Sequence, residues 1–299
     1  MQEAEKKLWM RSNLCFKIHE HGQVKYIDHM GSDYDIDAAA RISYSSNKVK
    51  TITKSDKSNL IRRLVMDQHT SPIEMVEIKV YIKMPIFVMR QLIRHRTHSV
   101  NEFSARYSVM PDEFYITNIE DIKPQSLTNK QGREESADFS IQAQEALSII
   151  QNASNMSYEA YQKLLKLKVA RETARSVLPV NIYTEVVWKQ NLHNMLHLLR
   201  LRLDKHAQKE IRDYAAALYA IAKEIAPLTV KAWEDYVLNS VRFSVTEKSM
   251  IAELLNSIDD TTIKENLDSI VERYSTAGQI TSNEASSFKS KINAILNSK

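Results

Sequence analysis

Between Arg94 and Tyr107 the chain reads RHRTHSVNEFSARY. This run holds Arg94, His95, Arg96, His98 and Arg106, a single carboxylate, Glu102, and no lysine. The planar arginine fork meets phosphate, carboxylate or nucleobase oxygens through paired N–H donors, which a lysine point charge does not reproduce. A solvated surface stretch mixes Lys with Arg and carries more acids, so the run reads as an anion site. Two other places hold chemistry-bearing side chains. Arg171 and Arg175 stand at i, i+4 ahead of Pro179, where capping a helix C-terminus is the plain alternative. His193 and His197 stand at i, i+4 close to Arg200 and Arg202. A histidine pair at that spacing suits a metal, but no nearby carboxylate or cysteine completes a set, and Leu196, Leu199 and Leu203 make an ordinary apolar stripe. No metal site is expected.

The chain has only four glycines, Gly22, Gly31, Gly132 and Gly278, too dispersed for a dinucleotide-binding or Walker loop. Any phosphate must therefore be held by side chains, chiefly arginine. The formal net charge of +4 in 299 residues is too mild for a protein that coats nucleic acid and fits a basic cleft on a near-neutral body. The one cysteine, Cys15, excludes an intramolecular disulfide framework, suits a reducing, cytoplasmic setting, and is expected as a buried thiol in a strand. Neither a signal-peptide pattern nor a membrane span is read.

Several elements must position these groups. A hairpin is expected over 13–30, with His21-Gly22 at its turn, and helices over 35–44, opened by Asp35, and over 55–68. Val76, Ile78, Val80 and Ile82 alternate with polar residues as a half-buried strand. Pro85 closes that strand and is expected as the first residue of the helix IFVMRQLIRH. THSVNEF then reads as a turn and SARYSVM as the next strand. A polar insertion is expected over 116–135. Residues 134–178 read as helix, broken near 152–157. A strand is expected over 180–188, a helix over 192–205, and a further helical stretch over 206–239 interrupted near Pro227. Residues 244–299 carry six Lys/Arg against eight Asp/Glu and read as a small appended module of two or three helices, which divides the chain into 1–243 and 244–299.

The segment RHRTHSVNEFSARY resembles the RHR-x7-S signature of the flavin-dependent thymidylate synthases, with Ser104 as its serine. AARISY (39–44), HTSPIE (69–74), PIFVMRQLIRHR (85–96), ARSVLPVNIYTEVVW (174–188) and LRLDKHAQKEI (201–211) resemble further blocks in the same order. The resemblance implies an α+β fold of the thymidylate synthase-complementing-protein type, a twisted antiparallel sheet surrounded by helices. It implies reductive methylation of dUMP to dTMP, with methylenetetrahydrofolate as carbon donor and FAD, reduced by NADPH, as hydride source. It implies a homotetramer with sites at subunit interfaces.

By the same resemblance, Gln91, Arg94, Glu102, Ser104, Ala105, Arg106, Arg175 and Arg202 surround dUMP. Ser71, Arg94, His95, Arg96, Glu102, Asn191, His193 and His197 surround FAD. Arg202 lies at the uracil edge, His69 beside the flavin ring, and Ser104, the third residue of the catalytic set, binds dUMP instead of attacking it. Met75 stands where many members have His, and His193 and His197 where some have Arg and Asn. The competing readings are a nucleic-acid-binding protein using the Arg/His patch and a metal-dependent nucleotide hydrolase built on His69, His95, His193 and His197. The first lacks a recognition-module aromatic pattern and the second a paired acidic motif.

Overall fold

The computed structural model describes residues 14–43, 54–127, 132–134, 139–256 and 260–296. The end of the expected first helix and part of the expected insertion lie outside them. The chain divides into a unit ending at Leu238 and a second unit beginning at Asn239.

The first unit opens with β1 (Cys15–Ile18) and β2 (Gly22–Met30), the expected hairpin, although its turn is His19–His21 and Gly22 already pairs with Ile18. Helices α1 (Asp33–Ile42) and α2 (Lys54–Met66) follow, then a 3-10 turn (Ile73–Met75), β3 (Glu77–Pro85), α3 (Ile86–Leu92) and β4 (His98–Glu102). Next come α4 (Ser140–Lys166), the short α5 (Arg171–Ala174) continuing into a 3-10 turn (Arg175–Val177), and β5 (Tyr183–Asn191). Helices α6 (Leu192–Arg202), α7 (Lys209–Ile225) and α8 (Pro227–Trp233) close the unit with a π-helical turn (Glu234–Leu238).

The five strands form one antiparallel sheet in the order β1-β2-β3-β5-β4. Strand β3 follows its alternation: Ile78, Val80, Ile82 and Met84 are fully buried. They join Val186, Trp188 and the apolar faces of α6, α7 and α8 in the main core. The other face is laced by cross-strand ion pairs, Lys79–Asp28, Lys83–Glu185 and Lys189–Glu77. A smaller core of Met110, Phe114, Tyr161, Ala174 and Ile182 ties α4 and α5 to the chain that follows β4.

Several boundaries differ from the sequence-based expectation. Ser32, not Asp35, caps α1, its side chain accepting from the Tyr34 N–H. Pro85 is the N-cap of α3 instead of its first residue, because it still pairs with Tyr183 in the sheet. The stretch expected as a turn contains β4, and SARYSVM, expected as a strand, is irregular. His98 to Glu102 lacks apolar alternation because an edge strand with little burial needs none; its pairing with β5 alone makes it a strand. Helix α4 runs unbroken through 152–157. Ser154 is buried there, donating to the Ile150 carbonyl and accepting from Asn181 Nδ2, so the polar residues are satisfied without a break. The break falls at Leu167–Ala170, where Lys168 takes a left-handed φ of 60°. Arg171 therefore opens α5 instead of ending a long helix. The expected 180–188 strand is shifted to 183–191, since the carbonyls of Val180 and Ile182 are taken by α3 amides. Cys15 is in its strand but exposed, because β1 is the other sheet edge.

The second unit contains α9 (Val245–Asn256), α10 (Asp260–Thr276) and α11 (Ser282–Leu296). Two reciprocal capping boxes, Ser244 with Glu247 and Thr281 with Glu284, start α9 and α11. Among the described helices of either unit, none is long and apolar enough to cross a membrane.

Candidate functional site

The chain leaves α3 through Arg94, His95, Arg96 and Thr97 in a tight turn, with Thr97 at φ 65°. A non-glycine residue in that region costs about 1–2 kcal/mol, which the surrounding contacts must offset. His98 supplies two of them: its Nδ1–H donates to the His95 carbonyl at 2.6 Å, and its ring stacks on Trp188 at 3.8 Å. Gln190 adds a third, donating from Nε2 to the Arg96 carbonyl at 3.3 Å while its oxygen accepts from Trp188 Nε1. The turn so pinned to β5 drives His95 inward, 5% exposed, and leaves Arg94 and Arg96 in solvent on either side.

His95 faces the last residue of α6. Arg202 donates from Nε to His95 Nε2 at 2.8 Å and from Nη2 to the Gln91 carbonyl at 3.4 Å. Burial, then the Arg202 charge, then His197 and His98 push the His95 pKa down to about 4. His95 is thus neutral at physiological pH, with its Nε2 lone pair committed to Arg202. Its ring also lies edge-on to His197, centroids 6.2 Å apart. The Gln91 side chain donates to Gln208 at 2.6 Å.

Around the start of α6 lies a second group. Asn191 caps the helix, its Oδ1 accepting from the Asn194 N–H at 2.9 Å. His193 and His197 occupy the same face one turn apart, and burial lowers the His193 pKa against the opposing pull of Glu74. The 3-10 turn at 73–75 packs on α6, preceded by His69 and Ser71, both exposed.

The far end of β4 builds the third group. Glu102, Phe103, Ser104, Ala105, Arg175 and Thr184 line a cavity of 350 Å³. Thr184 Oγ1 donates to Glu102 at 2.7 Å, and Ser104 Oγ accepts from the Arg106 N–H at 3.3 Å. Arg106 pairs with Glu172 at 3.2 Å, both more than half exposed, so the pair is screened and readily exchanged for a ligand anion.

The expected site residues therefore fall into groups at two ends of one strand. Gln91, Arg94, His95, Arg96 and Arg202 adjoin the His98 end of β4; His69, Ser71, Asn191, His193 and His197 belong to α6 and the turn packed on it. Glu102, Ser104, Ala105, Arg106 and Arg175 gather at the opposite end, about 13 Å away along the strand. Among the described residues no side-chain base bonds Ser104, and the two histidines of the same run, His95 and His98, are engaged at the other end. Arg94, Arg96 and Arg175 have no side-chain partner among the described residues. The forks of Arg94 and Arg96, exposed beside a half-buried Arg202, can meet phosphate oxygens without a glycine loop. Among the described residues no three His, Cys, Asp or Glu side chains converge as a metal site. Thr184 and Gln208 are partners the sequence reading missed, although both lie within blocks of resemblance, YTEVVW and HAQKEI.

The family model for thymidylate synthase complementing protein matches residues 25–228. The chain is 45% identical over 239 residues to a flavin-dependent thymidylate synthase of Dictyostelium discoideum, covering 77% of each chain. It is 43% identical over 251 residues to one from Wolbachia pipientis wMel, covering 84% of this chain and 87% of that one. Among solved structures, the UMP/dUMP methylase PolB from Streptomyces cacaoi, bound with 5-Br dUMP, superposes with a TM-score of 0.67 at 28% identity, over 74% of this chain and 98% of its own.

Proposed function

Because the chain belongs to the thymidylate synthase complementing protein family, the flavin-dependent thymidylate synthases, we propose that it methylates dUMP to dTMP with FAD, NADPH and methylenetetrahydrofolate. The observation that carries this reading is a set of arginines without a side-chain partner among the described residues, Arg94 and Arg96 beside an Arg202 whose guanidinium is oriented by His95, and Arg175 in the group at the other end of β4.

Arg94, Arg96, Ser71, Asn191, His193 and His197 would hold FAD, with His69 beside its ring and Glu102 touching both ligands. Bound FAD supplies the hydride it receives from NADPH, and methylenetetrahydrofolate supplies the carbon. Gln91, Arg94 and Arg202 take one part of dUMP, and Glu102, Ser104, Ala105, Arg106 and Arg175 the other. Arg202 has N–H donors left after bonding His95 and Gln91. Aimed at the uracil edge, they stabilise the negative charge that develops on N3 and its carbonyl oxygens, the kind of preorganised donor worth about 10²–10³ in rate. Ser104, with no side-chain base bonded to it among the described residues, holds the nucleotide.

One copy separates its two nucleotide-binding groups along β4, so we read the complete site as shared between copies in a homotetramer. Two features support this: β4 is a sheet edge, and Val100, Phe103 and Tyr107 are exposed on or just after it. The test is dTMP formation from dUMP and methylenetetrahydrofolate by FAD-reconstituted protein, driven by NADPH. A reconstituted protein that binds flavin yet makes no dTMP would overturn the reading.

A further inference from the structure

The Gln91 amide has an acceptor oxygen and a donor NH2, and its orientation decides which one a ligand meets. Here Nε2 of Gln91 donates to Oε1 of Gln208 at 2.6 Å. Gln208 is the N-cap residue of α7, two residues before Glu210, whose carboxylate it helps to keep ionised. Glu210 is 3% exposed, yet its carboxylate is held by Arg133 Nη2 at 3.1 and 3.2 Å and by the Tyr115 hydroxyl at 3.0 Å. Burial raises its pKa; its own backbone amide, Arg133, Gln208 and Tyr115 together reverse that, so the net shift is downward.

An ionised carboxylate only accepts, so Gln208 turns its NH2 toward Glu210 and its oxygen toward Gln91. That oxygen also only accepts, so Gln91 meets it with its NH2. The polarity set by one buried charge thus passes through two amides and leaves Gln91 Oε1 for the ligand. It does so on the residue whose backbone carbonyl anchors Arg202.

We propose that Gln208 is a positioning residue that fixes the Gln91 amide so that its oxygen receives a hydrogen-bond donor of the nucleotide. The donor is the N3–H of uracil or the sugar 3′-hydroxyl. A phosphate oxygen is not its partner, since both only accept. This rests on the dUMP reading above.

The FAD-loaded enzyme is titrated with dUMP, with dCMP and with 2′,3′-dideoxyuridine monophosphate, following the flavin absorbance. At N3, dCMP has a lone pair where uracil has N–H. It also exchanges the C4 carbonyl for an amino group, a change felt alike by wild type and variant, so the N3 donor is read from the part of the discrimination that Gln208→Leu loses. The dideoxy analogue lacks the 3′-hydroxyl. Wild type is expected to bind one analogue roughly tenfold or more weakly than dUMP, about the worth of one hydrogen bond, and which one identifies the donor. In Gln208→Leu the Gln91 amide is free to turn, and that discrimination falls toward unity while FAD content stays at the wild-type level. Full discrimination in Gln208→Leu would overturn the proposal. So would a wild type that binds dUMP but discriminates against neither analogue. A wild type that fails to bind dUMP would overturn the substrate reading as well.

Discussion

Arg202 and His95, far apart in the chain, are joined by a 2.8 Å hydrogen bond in which the guanidinium Nε donates and the imidazole Nε2 accepts. The bond requires a neutral histidine, and burial beside a cation ensures one. It makes the histidine of the RHR signature a support for the arginine that faces the uracil in the proposed reaction.

Acid should therefore loosen the site. The His95 pKa is about 4 in the folded protein against an ordinary value of 6.5, so the unfolded chain binds the extra proton first. The stability from keeping His95 neutral is fully present above about pH 6.5 and is lost as pH falls toward 4, to a total of about 3 kcal/mol. Denaturant melts at pH 7 and pH 4.5 should show a steeper pH dependence for wild type than for His95→Gln. Equal slopes would sink this account.

Arg202→Ala should lower turnover by about 10²–10³ with FAD content unchanged. Arg202→Lys should not restore it, because a single ammonium cannot bond both His95 and the Gln91 carbonyl and still present paired donors to a base. Single-turnover rates at saturating dUMP measure both; a lysine variant near wild type would count against the geometry.

Ser104→Ala should retain catalysis, since among the described residues no side-chain base is bonded to the hydroxyl. The expected change is a rise in KM for dUMP of about tenfold or less, the loss of one hydrogen bond, with kcat within a factor of a few. Abolished chemistry with intact dUMP binding would make Ser104 the nucleophile after all.

Mixing variants tests whether the site is shared. Arg202→Ala and Arg175→Ala lie in the two separated groups, so each homo-oligomer should be impaired. Subunit exchange between them would create some sites with both arginines intact, and part of the activity should return. No recovery after demonstrated exchange would place both groups of one chain in the same site.

How much of this was legible beforehand depends on the range of the forces involved. The alternation of Val76 to Ile82 dictated a half-buried strand, because burial on one pleated face selects every second residue. The arginine-rich run and the scattered glycines pointed to anion binding by side chains, and the RHR-x7-S spacing to the family. Residue type and spacing suffice for such conclusions. His98 to Glu102 gave no such signal: an edge strand owes its form to β5, not to its own pattern. The inward turn of His95 was likewise decided by tertiary structure. Trp188, Gln190 and Arg202 come from distant parts of the chain and meet it only in the folded structure. Desolvation and hydrogen-bond polarity depend on which groups finally surround an atom, and local sequence does not encode those neighbours.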